Sequence, residues 1–173
     1  MCKMTKELFR QYNQEFQYDP DIFMDIQKMP TYVFSETASD ASYERQIALG
    51  RLHMAIMLET EPIGEIILKN IDWENHHCTL GIHLKNDSLK NCGYGTQAEI
   101  LLLQYAVDRL GMETVYADAI LKNERSQHVL QKAGFTETGK DDTFRYYRCD
   151  KSTWCIPESD NRNPNQQGMH RLC

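Results

Sequence analysis

Residues 90–107 read KNCGYGTQAEILLLQYAV, two glycines one residue apart followed by a run of helical character. Glycine ahead of a helix lets the backbone come close to a ligand, so that free amides and the positive helix end meet an anion. Two anion-binding patterns and a plain helix entry compete here. A P-loop needs a GxxxxGK run closed by Ser or Thr, which this stretch lacks. A dinucleotide fingerprint fits superficially, because Gly93 to Ala98 is GxGxxA. That motif, however, follows its strand through a tight turn, whereas KNDSLKNC stands between Gly93 and the strand expected to end near Leu84. In a plain helix entry the glycines serve only the turn.

Downstream, Thr96 to Leu110 is expected as a helix with Ala98, Leu102, Tyr105 and Ala106 on one face, and Thr96-x-x-Glu99 fits a capping box at its start. TVYADAIL (114–121) alternates as a strand, Asn123 caps a helix to Lys132, and Gly134 sits where a left-handed C′ residue closes it, with Phe135 free to fold back on Leu130. A last hairpin runs from FTETGKDD to FRYYRC. Upstream, CTLGIHL (78–84) alternates as a half-buried strand, and HMAIMLETEPIGEIILKNI is an antiparallel hairpin. The first fifty residues are mainly helical in pattern. Leu8, Phe9, Tyr12 and Phe16 recur at helical spacing, Asp19-Pro20 opens a short second helix, and Asp40 caps a third that Gly50 ends. The order of helices, three strands, helix, strand, helix and two strands defines an α+β fold with a mixed, mostly antiparallel central sheet flanked by helices.

A chain of 173 residues, 41% hydrophobic, is enough for one domain with a sizeable core. We expect residues 1–154 to form it and 155–173 to be a polar, poorly ordered tail. The longest apolar run, Met54 to Leu58, is far below the roughly 18 residues of a membrane span. The start lacks a signal-peptide core, so a cytoplasmic protein that does not engage membranes is expected. Six scattered cysteines without CxxC spacing suit free thiols, and His76-His77-Cys78 lacks a second ligand pair, so no metal is expected. Net charge is −6, with 13 Asp or Glu against 7 Lys or Arg in residues 1–75 and balance thereafter. No clustered basic face suggests a nucleic-acid partner.

Lys90-x-x-Gly93-x-Gly95 resembles the (Arg/Gln)-x-x-Gly-x-(Gly/Ala) motif of the GNAT acetyltransferase superfamily. Asn123-Glu-Arg-Ser126 through LQKAGF is similar to that family's downstream helix, and the element order agrees from about Ile63 to Arg148. Within the superfamily, PIGEIIL, GIHL and Asn-x-x-Ser most resemble the RimJ/RimL-like branch of ribosomal-protein and small-amine N-acetyltransferases. The resemblance implies acetyl-CoA (coenzyme A) as cofactor. Its pyrophosphate would lie on the backbone of Asn91, Cys92, Gly93, Tyr94, Gly95 and Thr96, beside Lys90. Its pantetheine arm would pass between strands 79–84 and 115–121, bonding amides near Ile82 and Leu84, with Asn123 and Ser126 contacting the arm.

Direct acetyl transfer needs a neutral amine, hence a proton acceptor, and benefits from a donor to the departing thiolate. Many members place a tyrosine donor seven residues after the Asn, where this chain has Leu130. The related branch gives that role to a serine at the Ser126 position, which is otherwise helix surface. Glu65 and His83 are candidate bases, each also readable as an ordinary strand residue. The function implied is N-acetylation of a primary amine, with a cationic one (protein N-terminus, polyamine or other small amine) suggested by the acidic first half, including Glu15, Asp19, Asp21 and Asp25. The alternative is an acyl-CoA-binding protein of the same fold with little turnover. A monomer or a homodimer fits either.

Overall fold

A computed structural model of the protein describes residues 1–20 and 26–156. A two-residue strand, β1 (Cys2–Lys3), precedes α1 (Lys6–Gln14), a 3₁₀ turn at Ile26–Lys28 and α2 (Glu36–Ala48). Then come β2 (Leu52–Leu58), β3 (Glu61–Asp72), β4 (His77–Leu84), α3 (Tyr94–Asp108), β5 (Thr114–Ile120), α4 (Glu124–Ala133), β6 (Thr136–Lys140) and β7 (Phe144–Asp150). The seven strands form one sheet in the order β1-β2-β3-β4-β5-β7-β6. Only β4 and β5 pair in parallel, so the sheet is mixed and mostly antiparallel, as expected from sequence. β1 is too short to show a period in sequence. The helix opened by Asp19-Pro20 falls largely on residues 21–25, and the tail on 157–173, both outside the described residues.

Alternation along the strands divides the molecule into two layers. Ile56, Ile66, Leu68, Leu80 and Val115 turn to one face, where α3 and α4 pack on them through Leu102, Leu103 and Leu130. The other face carries Ala55, covered by Met4, Phe9 and Tyr12, the last two from α1. Burying each of these large side chains contributes about 1.5–3 kcal/mol.

Helix ends follow local chemistry. Thr5 caps α1, its hydroxyl accepting from Leu8 N at 3.2 Å. α2 starts earlier than the Asp40 cap expected, because Ser35 supplies the cap oxygen to Ala38 N. Asp40 lies inside that helix and takes a two-pronged bond from Arg10, both contacts 2.6 Å, which ties α1 to α2. The expected end of α4 is observed. Gly134 is left-handed at φ 102°, and Phe135 N donates to Leu130 O at 3.0 Å. Trp154 lies against Gly134, its indole N–H donating to Ala133 O at 3.0 Å.

Candidate active site

The 90–96 loop enters α3 through two left-handed residues, Asn91 (φ 61°) and Gly93 (φ 83°). No side chain caps the helix, so its first amides are open to water or to an anion. A Cβ on Gly95 would meet only Val129 and Ile82, at 3.8 and 4.0 Å, so packing does not require glycine there. The expected capping box does not form. Gly93 already performs the turn and α3 begins at Tyr94, which places Thr96 in the first turn and Glu99 in the sixth helical position. Lys90 is held by Asp87 and, at 2.7 Å, by Asp19, so the loop is less purely basic than its own residues suggest.

Next to this loop the sheet opens. β4 and β5 pair only at His77–Thr114, Cys78–Val115 and Thr79–Tyr116. Beyond these pairs the strands part, β4 continuing beside β3 and β5 beside β7. Successive amides of a strand point to opposite edges, so alternate residues of β4 past Thr79 present an N–H to the gap. Ile82 and Leu84 share one such phase. The gap holds a cleft of about 280 Å³ whose walls include Ile82, His83 and Leu84 of β4 and Ala119 and Ile120 of β5. Phe16, Gln17 and Asp19 cross above it, anchored where Gln17 N donates to Lys85 O at 2.7 Å. A smaller chamber of about 150 Å³ passes between the strands. His83, Asp118 and Lys69 border it from the α1 face, Glu99, Ser126 and Leu130 from the α3–α4 face.

On the α1 face Glu65 and His83 are cross-strand partners. His53 lies one diagonal step away on β2. Glu65 Oε2 lies 2.7 Å from His53 Nε2, and Oε1 lies 3.5 Å from His83 Nδ1. His53 is buried edge-on against Phe9, while the His83 side chain is 46% exposed at the cleft. Glu65 is therefore not an exposed strand glutamate. Burial pushes its carboxyl up, but hydrogen bonds and charge from the two histidines outweigh that and hold it at about 2. A carboxylate so firmly ionised is a poor proton acceptor, and its oxygens face the two imidazoles, closer to His53 than to His83.

On the opposite face Asn123 caps α4, its Oδ1 accepting from Ser126 N at 3.0 Å. Gln127 fastens the helix to the end of β5 through Ile120 O and Leu121 O, at 3.1 and 2.7 Å. Asn123 and Ser126 both line the main cleft, and Leu130 is buried beside the smaller chamber. The structure thus gathers Ile82, His83, Leu84, Lys90, Gly95, Asn123 and Ser126 around one cleft, with Glu65 directly behind His83. Sequence reasoning misses His53 and reads Glu99 only as a capping residue. Glu99 heads the stripe Glu99-Leu102-Leu103-Ala106, an i, i+3, i+4, i+7 spacing that marks a buried position, and it is fully buried. The acids of the first half divide differently from expectation. Glu15 pairs with Lys85 at 2.7 Å and Asp19 with Lys90, while Asp21 and Asp25 lie outside the described residues.

A split β4–β5 pair with an uncapped glycine-led helix beside it is the arrangement that the resemblance to the acetyltransferase class implies. Residues 3–136 match the family model described as acetyltransferase (GNAT) domain, and the chain belongs to that family. Among solved structures, a provisionally assigned acetyltransferase from T. thermophilus is 25% identical, with a TM-score of 0.70 and 88% of this chain and 85% of that one covered. A chimera of spermidine N-acetyltransferase SpeG from Vibrio cholerae and hSSAT is 14% identical at TM-score 0.70, covering 87% and 93%. The Campylobacter jejuni N-acetyltransferase PseH in complex with acetyl coenzyme A is 18% identical at TM-score 0.56, covering 67% and 80%. These last two show likeness of fold. Among curated proteins none matches this sequence.

Proposed function

We propose that this acetyltransferase uses acetyl-CoA to N-acetylate a primary amine, cationic and small or at the end of a peptide, as in the RimJ/RimL-like branch. The unit is a single domain over residues 1–154, working in the cytoplasm, where the free thiols of the described cysteines persist. The observation that carries the reading is the gap between β4 and β5, with amide donors on one strand and the His83–Glu65 pair at its acceptor-side edge. The cosubstrate supplies an activated acetyl group. The amides of 91–96 bind its pyrophosphate, Asn123 and Ser126 hold its arm, and amides of β4 polarise the carbonyl. His83, oriented by Glu65, takes the proton that the attacking amine must lose.

Attraction of a cationic amine rests on Asp118, which lines both chambers and meets Lys69 only at 3.9 Å, rather than on Glu15 and Asp19, which Lys85 and Lys90 hold at 2.7 Å. Spermidine, the substrate in the name of one fold neighbour, heads the acceptor series to test. The experiment is a thermal shift with acetyl-CoA, followed by transfer to polyamines, aminoglycosides, amino acids and peptides, the products identified by mass spectrometry. Stabilisation with transfer to at least one amine is expected. Stabilisation without any transfer would favour a binding protein, the outcome Leu130 suits. No stabilisation would overturn the reading.

A further inference from the structure

Glu99 is 0% exposed on α3, and neither carboxyl oxygen has a hydrogen-bond partner among the described residues. It lines both chambers of the gap, on the same side as Ser126 and Leu130. A glutamate buried without a partner costs more than an apolar residue of its size, so a packing role alone would be better served by leucine. Resting on the acetyltransferase reading, we propose that Glu99, a neutral carboxylic acid at the floor of the gap, is the catalytic residue that protonates the departing thiolate, in the place Leu130 leaves without a donor.

The titratable and charged groups around the chambers are Asp19, Lys69, His83, Lys90, Asp118 and Arg125, and none bonds Glu99. With no cation among the described residues bonded to it, burial drives the Glu99 carboxyl well above the usual carboxylate range. A carboxyl raised in this way keeps its proton at neutral pH and so has one to give. In the step, the amine nitrogen bonds the acetyl carbon and the carbon–sulfur bond breaks with its electron pair going to sulfur. Sulfur takes the Glu99 proton, and the nitrogen's proton leaves through His83 to water. A proton from water then restores Glu99. Base and acid lie on opposite faces of the sheet with the open seam between them, so neither intercepts the other's proton.

The test uses Glu99→Gln and Glu99→Leu in the full chain. Glu99→Gln should lose ~10²-fold in kcat, as removal of a general acid does, with the dissociation constant for acetyl-CoA unchanged. Wild-type kcat should fall at high pH as Glu99 ionises, and that limb should vanish in Glu99→Gln. Without any ligand, infrared difference spectra of wild type against Glu99→Gln should show a protonated carboxyl at neutral pH, and Glu99→Leu should melt higher while turning over slowly. Unchanged kcat and pH profile in Glu99→Gln, an ionised carboxyl in the free protein, or a Glu99→Leu variant as fast as wild type would each overturn the assignment. A wild type that acetylates normally then leaves the function intact, whereas one that neither binds acetyl-CoA nor transfers acetyl refutes both.

Discussion

Replacing Glu65 with glutamine tests the acceptor side of the site most directly. Its carboxyl is held at about 2 against an ordinary 4.5, a difference worth about 3 kcal/mol in favour of the folded, ionised state. A depressed folded-state pKa contributes stability that is fully present above the unfolded value and is lost as pH falls through the folded one. The window therefore runs from about pH 4.5 down to about 2. Glutamine keeps the shape and can still accept from one histidine, so the loss at neutral pH should be about 2–3 kcal/mol, or ~5–10 °C in Tm for a domain of this size. Circular dichroism melts from pH 7 to pH 3 measure this, and Glu65→Gln should lack the acid-dependent part. Acetyl transfer assayed well below either Tm reports the second consequence. With His83 no longer oriented, kcat/KM should drop ~10²-fold or more. His83→Ala is the companion, expected to lose activity similarly with little change in Tm, because that ring is half exposed. If Glu65→Gln melts lower but turns over normally, the pair is structural and the base lies elsewhere. If its Tm and pH dependence match wild type, the carboxylate is not held by the histidines.

Gly95→Ala should fold normally, given its nearest would-be contacts at 3.8 and 4.0 Å, whereas Gly95→Glu should abolish the acetyl-CoA thermal shift by bringing charge and bulk to the loop. An unchanged affinity in Gly95→Glu would place the cosubstrate elsewhere. Ser126→Ala should lower kcat modestly and by more than it weakens acetyl-CoA binding, measured by steady-state kinetics and titration calorimetry; unchanged kcat would reduce Ser126 to helix surface. Gly134→Ala should destabilise by more than ~1 kcal/mol, since φ is 102° and the new Cβ would stand 2.7 Å from the Trp154 ring. A thermal melt decides that.

The order of strands and helices along the chain follows from periodicity where a strand buries one face or a helix one stripe, whereas the order of strands within the sheet, and the placing of β6, exposed along its length, come only from the structure. The hairpin at 52–72 and the Asn123 to Gly134 helix carry their signals in adjacent residues, and they stand in the structure where those signals point. Ser35 was hidden because Ser, Thr and Asp near a helix start offer interchangeable cap oxygens, and only the Arg10 fork, thirty residues away in sequence, draws Asp40 from that role. Glu99 was misread for a related reason. Its spacing from Thr96 suits a local bond, but the left-handed Gly93 starts the helix early and rotates that carboxyl into the core. The site divides in the same way. The loop, Asn123 and Ser126 are contiguous motifs, whereas the contacts of Glu65 with His53 and His83 depend on strand register between three separate segments.

The indole of Trp154 bonded to the last carbonyl of α4 gives the molecule a built-in optical probe. The chain has two tryptophans, and the other, Trp73, is 59% exposed in the β3–β4 turn. In a Trp73→Phe background, emission would come from a single ring resting on the C-terminal end of the helix whose opposite end carries Asn123 and Ser126. Any tilt of that helix when a ligand enters the cleft would be written into the spectrum, and stopped-flow fluorescence could time it without a label.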